Sequence, residues 1–242
     1  TLLGLLPRLR ERLAPDFVVV NGENAAAGLG ITSKIAREMF AAGVDVITLG
    51  NHTYHQREVY PYLDQEERIL RPANFLRSQP GHGSCVVERG GRRLAVLSLS
   101  GNLYMNPCLP LFSEADAQLY ALRERADHVL VDIHAEATSE KVGLGWHLDG
   151  RVTAVVGTHT HVPTNDARVL PGGTAYITDV GMTGARGGVL GVRREQAIDA
   201  MLTRMPVRFE TSEEDPWLQG AVIECGVEPL RAVAIVGVQE QP

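Results

Sequence analysis

Short runs of β-branched and aliphatic residues, bounded by glycine-rich or polar turns, alternate along the chain with stretches of helical period. "FVVV" (17–20), "DVITL" (45–49), "RLAVLSL" (93–99), "HVLVDI" (128–133), "VTAVV" (152–156) and "TAYIT" (174–178) are short and nearly continuous in apolar character, which predicts strands mostly buried on both faces. The opening "TLLGLLPRLRERL" reads as an amphipathic helix already under way. Further helices are predicted over Thr32–Ala42, with Thr32 or Ser33 as N-cap, over Leu111–Ala126 and over Arg194–Thr203. "GAVIECG" and "RAVAIVG" near the end predict a hairpin. Helices interleaved with buried strands imply an α/β fold with helices on both sides of sheet material. The 242 residues, 44% of them hydrophobic, suit one domain spanning 1–242.

Open α/β folds place their sites beyond the carboxyl ends of strands, so the residues there carry the chemistry. "NGEN" supplies Glu23 and Asn24, and "GNHTYH" supplies Asn51, His52 and His55. "DIHAEATSEK" supplies His134, and "GTHTH" supplies His159 and His161. If that last segment were extended, its two imidazoles would project to one side. A lone strand-end histidine is ordinarily a hydrogen-bonded structural residue, but four strand ends delivering ligand side chains together point to a metal. Glu23, Asn51, His134, His159 and His161 combine carboxylate, amide and imidazole, a set suited to iron, manganese or zinc. A structural zinc site would favour a closed thiolate-rich tetrahedron. Cys85, Cys108 and Cys225 stand far apart with no CxxC pair, and read as three buried, reduced thiols.

The formal charge of -6, with no basic block, argues against an extended nucleic-acid face, so phosphate chemistry here needs a local positive charge such as a metal. With no signal peptide and no apolar run near the ~20 residues of a bilayer span, a soluble cytoplasmic protein with no membrane partner is expected, compatible with a homo-oligomer. His82, His128 and His147 lack converging partners and read as surface or satisfied core residues. "GLG" (28–30) is open to two readings, an anion-binding turn or a plain tight turn. "GMTGARGGVLGVRRE" is read as a solvated loop, with a flap carrying Arg186, Arg193 or Arg194 to phosphate as the sharper alternative.

"NGEN", "GNH", "HAEATSEK", "GTHTHVPT" and "TDVGMTG", in this order over nearly the whole chain, resemble the calcineurin-like metallophosphoesterases. "HAEATSEK" and "TDVGMTG" point to the bacterial YmdB-type branch, the 2′,3′-cyclic-nucleotide phosphodiesterase-like proteins. The resemblance implies a four-layer αββα sandwich and two divalent metal ions, iron or manganese foremost and zinc as a further option. It implies that Glu23 bridges the ions, that Asn51, His134 and His159 bind one, and that His161 binds the other. Asn24 would orient substrate or water, and His52 would face the leaving oxygen. The superfamily pattern also places a strand ending in Gly-Asp before the first helix. This chain opens inside that helix, at Thr1 rather than Met, so a partial sequence lacking the first strand and its aspartate ligand is expected. Asp132 and Asp179 are rival ligands, each with a cap or turn role equally open.

The reaction so implied is hydrolysis of a small nucleotide phosphodiester by a metal-bridging hydroxide, with His52 as general acid. Tyr54, Tyr104 and Trp146 are candidates for a base-contacting wall or for packing, and Glu136, Ser139, Glu140 and Lys141 either support His134 or begin the next helix. Other metal-dependent phosphatases or amide hydrolases, and a non-catalytic metal- or nucleotide-binding regulator, are the alternatives.

Overall fold

Three parallel strands, β1 (Val19–Asn21), β2 (Val46–Thr48) and β3 (Ile69–Leu70), form a first sheet in the order β1-β2-β3. The computed structural model describes residues 1–106 and 109–242. Helix α1 (Leu2–Leu13) precedes β1, while α2 (Ser33–Ala41) and α3 (Tyr60–Gln65) form the two crossovers. Thr32 is the cap of α2, its hydroxyl accepting from the Ile35 amide at 3.2 Å. β1 starts two residues later than the apolar run predicts and is half-buried. The Asp45 carboxylate takes the Val18 amide at 2.8 Å, which ends the ladder there.

The second sheet comprises β4 (Ser84–Arg89), β5 (Arg92–Ser100), β6 (His128–His134), β7 (Ala154–Thr158), β8 (Arg168–Val169) and β9 (Ala175–Ile177), in the order β4-β5-β6-β7-β9-β8. β5, β6, β7 and β9 are parallel, and β4 and β8 close the edges antiparallel. The first three of these parallel strands are linked by α4 (Leu111–Leu122) and α5 (Thr138–Leu148). α4 stops short of the predicted Ala126 because Arg123, Glu124 and Arg125 are all exposed and have no core to grip. A third sheet holds β10 (Gly184–Ala185), β11 (Pro216–Cys225) and β12 (Ala232–Glu240), with α6 (Arg194–Thr203) between the first two strands. β11 and β12 form the predicted antiparallel hairpin. Cys85 is buried, but Cys225 is exposed at the end of β11 beside a register shift in that hairpin, against expectation, and Cys108 lies outside the described residues.

The strand pleat sorts side chains into layers. Leu6, Met39 and Leu63 of α1 to α3 pack on Ile47 and Ile69 of the first sheet. Val46 and Leu70, on its other face, meet Cys85 and Val96 of the second sheet. The far face of the second sheet, including Leu97, Val131 and Val155, is covered by Leu111, Ala115 and Leu119 of α4 and by Leu144 and Leu148 of α5. The result is a four-layer αββα sandwich. The β11–β12 hairpin extends the inner layer, with Ala232 and Ile235 against Ala154, Ala175 and Ile177. α1 leans on the hairpin through Leu5 and Leu9, which meet Leu218. None of the described helices is long and apolar enough to cross a membrane.

Gly157, near the end of β7, explains why the buried run "VTAVV" is closed by glycine. The chain after β9 crosses directly over it, with the Val180 amide donating to the Gly157 carbonyl at 3.0 Å. A Cβ on Gly157 would overlap the Thr178 carbonyl, a backbone group that cannot swing aside. Gly157→Ala is therefore expected to cost about 3 kcal/mol, at the upper end of ordinary overpacking. A thermal melt should show the midpoint falling by about 6–12 °C for a chain of this size; an unchanged midpoint would show that the crossing is not fixed as the structure has it.

Candidate metal centre

The carboxyl ends of β1 and β2 in the first sheet and of β6 and β7 in the second meet at one edge of the sandwich. Glu23 follows β1, Asn51 and His52 follow β2, His134 ends β6 and His159 follows β7. Glu23 is buried and its Oε1 accepts from the His52 amide at 2.6 Å. Gly50 lets these segments close up, since a Cβ there would overlap both the His134 ring and the Glu23 carboxylate.

The His134 ring is oriented from behind. Asp132 is fully buried and accepts from the Thr158 hydroxyl at 2.8 Å, and the Thr158 oxygen lies 2.9 Å from His134 Nδ1. A hydroxyl has one proton, and here it goes to the carboxylate, so Thr158 can only accept from His134. His134 therefore carries its proton on Nδ1 and presents a lone pair at Nε2. That Nε2 is in contact with Glu23 Oε2, lies 3.0 Å from Asn51 Oδ1 and lies 3.0 Å from His159 Nδ1. Glu23 Oε2 is buried without a hydrogen-bond partner. Ligand atoms of Glu23, His134 and His159 all lie within 4.8 Å of one another. Acceptors crowding a bare lone pair fit a divalent cation.

His159 and His161 do converge on this edge, but not as an extended segment. β7 ends at Thr158, and His159 and His161 occupy a turn with φ of 98° and 66°. Thr160 between them is held by Asp179, which accepts from the Thr160 amide at 3.1 Å and from its hydroxyl at 2.7 Å. Asp179 also accepts from the Gly181 amide and pairs with buried Lys141 at 2.8 Å. Asp132 and Asp179, considered as rival ligands, thus lie behind the candidate ligand side chains and hold them. Sequence reasoning missed Thr158 and Thr160; the hydroxyls interleaved with histidines in "GTHTH" were the available signal.

His161 stands apart from the close cluster. Its Nε2 lies 3.1 Å from Asn24 Nδ2, and its Nδ1 is buried without a partner. The other end of the Asn24 amide lies 2.9 Å from His52 Nδ1, so Asn24 bridges the two histidines. Burial raises the Glu23 carboxyl, and the His52 amide that donates to it opposes the shift. Burial likewise lowers His52, with Glu23 opposing.

The remaining candidates resolve individually. His55 is exposed, its ring edge-on to His52 at 5.8 Å. Glu136 lies 3.2 Å from His159 rather than by His134, and Glu140 accepts from the amides of Asn102 and Leu103. Gly28 and Gly30 have positive φ, as a tight turn requires. Arg186 stacks on Trp217, and Arg193 and Arg194 pair with Glu210 and with Glu195 and Glu214. His147 bonds Asp116, and Tyr104 and Trp146 are exposed.

The chain is thus a four-layer αββα sandwich with a carboxylate, an amide and imidazoles gathered at the joined ends of its sheets. The chain belongs to the family of YmdB-like proteins, whose model matches residues 1–238. It is 46% identical over 230 residues to a Bacillus subtilis (strain 168) protein named 2′,3′-cyclic-nucleotide 2′-phosphodiesterase, covering 95% of this chain and 87% of that one. A hypothetical protein from Thermus thermophilus superposes with a TM-score of 0.92 at 41% identity, covering 99% of this chain and 92% of that one. A structure titled a novel phosphatase, from Mycoplasma pneumoniae, gives 0.90 at 32% identity, covering 99% and 88%.

Burial, and next the neighbouring His134, lower the His159 imidazole to about 4. The fold therefore prefers neutral His159, and below the ordinary histidine value of about 6.5 the unfolded chain takes up the proton first. Metal-free protein should hold its stability above pH about 6.5 and lose it as pH falls towards about 4. Urea melts of chelator-treated wild type and His159→Gln should show the shallower pH dependence in the variant; identical slopes would rule this out.

Proposed function

We propose that the chain is a metal-dependent phosphodiesterase that opens 2′,3′-cyclic nucleotides or closely related small nucleotide phosphodiesters. The observation that carries this reading is the convergence of Glu23, Asn51 and His159 on the unprotonated Nε2 of His134. In this reading Asn51, His134 and His159 would hold one divalent ion and His161 a second, with Glu23 placed to serve both. Iron and manganese suit the donors best, and zinc also fits. Such ions, when bound, neutralise the phosphoryl oxygens and supply an activated water. The chain's own residues do the rest. Thr158 and Asp132 fix the His134 tautomer, and Asn24 holds the His52 ring by its Nδ1. The free Nε2 of His52 is then directed to the substrate, where it protonates the leaving oxygen. The anionic diester supplies the counter-charge that favours the imidazolium. The names of the Bacillus subtilis and Mycoplasma pneumoniae relatives support both the reaction class and, in the first case, the substrate.

Elemental analysis and hydrolysis assays with 2′,3′-cyclic AMP and bis(p-nitrophenyl) phosphate test the reading. Chelation should abolish turnover and manganese should restore it; turnover that persists without metal would refute it. His52→Ala should lower kcat by ~10²–10⁴ with metal content unchanged, whereas loss of metal in that variant would make His52 a ligand. His134→Ala should lose the metal itself.

A further inference from the structure

A cavity of about 270 Å³ opens beside the candidate metal centre, lined by Asn51, Tyr54, His55, Phe75, Gln79 and Asn106. It shares Asn51 with the metal centre and reaches the proposed proton donor through the edge-on contact of His55 with His52. Its volume is close to the lower end of ~300–1,000 Å³ for small-molecule sites, which suits one heterocycle better than a whole nucleotide.

The wall is built to be rigid. The Tyr54 hydroxyl donates to the Pro80 carbonyl at 2.8 Å, and its ring meets Tyr60 edge-on at 5.4 Å. Phe75 is buried, 6.1 Å from Tyr54 and inclined to it by 36°. The loop carrying Phe75 is pinned by buried Arg71, which donates to the Pro72 carbonyl at 2.8 Å. Gln79 spends its Oε1 on the Leu76 amide at 2.9 Å, which fixes its amide group and leaves the NH₂ as a donor. Two held aromatic faces and a held donor complement a planar ring with acceptor nitrogens or oxygens.

We propose that this cavity is the nucleobase subsite of the same reaction. Tyr54 and Phe75 take the face of the base and Gln79 donates to its edge, so the base orients the ribose whose oxygen leaves beside His52. This inference rests on the phosphodiesterase reading, which the test separates from it.

Two measurements are needed. First, kcat/KM is compared for 2′,3′-cyclic AMP and for base-free ribose 2′,3′-cyclic phosphate, in wild type, Tyr54→Ala and Gln79→Ala. Wild type should prefer the nucleotide by roughly tenfold or more, the scale of one lost base stack, and both variants should shrink that ratio. Second, saturation-transfer NMR with adenosine on metal-free protein reads base contact without turnover. Transfer to the adenine protons should be present in wild type and weakened in both variants, whose folding is checked by circular dichroism. Should Tyr54→Ala fail to fold, Gln79→Ala decides alone. Equal kcat/KM for the two substrates, or adenine contact indifferent to Gln79→Ala, would overturn the proposal. Adenosine binding with no turnover of any diester would overturn the phosphodiesterase reading while leaving the cavity a base-binding site.

Discussion

The buried carboxylate of Asp132 is the point on which the two sheets and the candidate metal centre jointly depend. It stands on β6 of the second sheet and accepts from Asn21 of β1 at 3.2 Å and from the Thr48 hydroxyl of β2, both in the first sheet. Its other oxygen takes Thr158 of β7. Burial still pushes this carboxyl upward despite the hydroxyl donors, so the arrangement is tolerable only while its donors stay in place. The consequence reaches the surface of the site. The same Thr158 hydroxyl that satisfies Asp132 decides which nitrogen of His134 carries the proton, so alignment of the sheets and readiness of the ligand are one network.

A second buried charge governs the turn that carries the other histidines. His159 and His161 hold positive φ, which costs a residue with a Cβ of order 1–3 kcal/mol and persists only when the surroundings impose it. Asp179 imposes it through Thr160, and Lys141 with Asp179 is one of the most deeply buried ion pairs, at 1% and 0% side-chain exposure. A buried pair of this kind is weak evidence for stability, because desolvation offsets the attraction. Its value here is positional, since Asp179 can reach Thr160 only because Gly157 lets the chain cross above β7.

The parallel strands were legible because burial on both faces leaves a continuous apolar run, and the gathering of polar side chains at their ends followed from where such folds put their chemistry. β3, with two residues, and β4, half-exposed, leave no such run. The roles of Asp132 and Asp179 were illegible for a different reason. Asp132 finds Asn21 and Thr48 at sequence separations of 111 and 84 residues, and no local pattern distinguishes a carboxylate that binds a metal from one that holds the ligand's neighbour. The extended reading of "HTH" failed because the period-2 argument holds only while the strand continues, and β7 ends one residue too early. Phe75 and Gln79 were missed because they lie in the loop after β3, a strand of only two residues.

The two halves of the site are anchored differently, and this separates their tasks. On the second-sheet side, His134 and the His159 turn are backed by fully buried carboxylates, so their geometry changes only if the sandwich itself does. On the first-sheet side, His52, Tyr54 and His55 sit on one short connection after β2, linked to the metal edge by Asn24 and the Glu23 contact with the His52 amide. The first group belongs to the buried network itself, whereas the connection after β2 has exposed positions, such as His55, that stand outside it. In the proposed reading, proton delivery and substrate choice would therefore fall on the side of the site that is less deeply tied to the buried network.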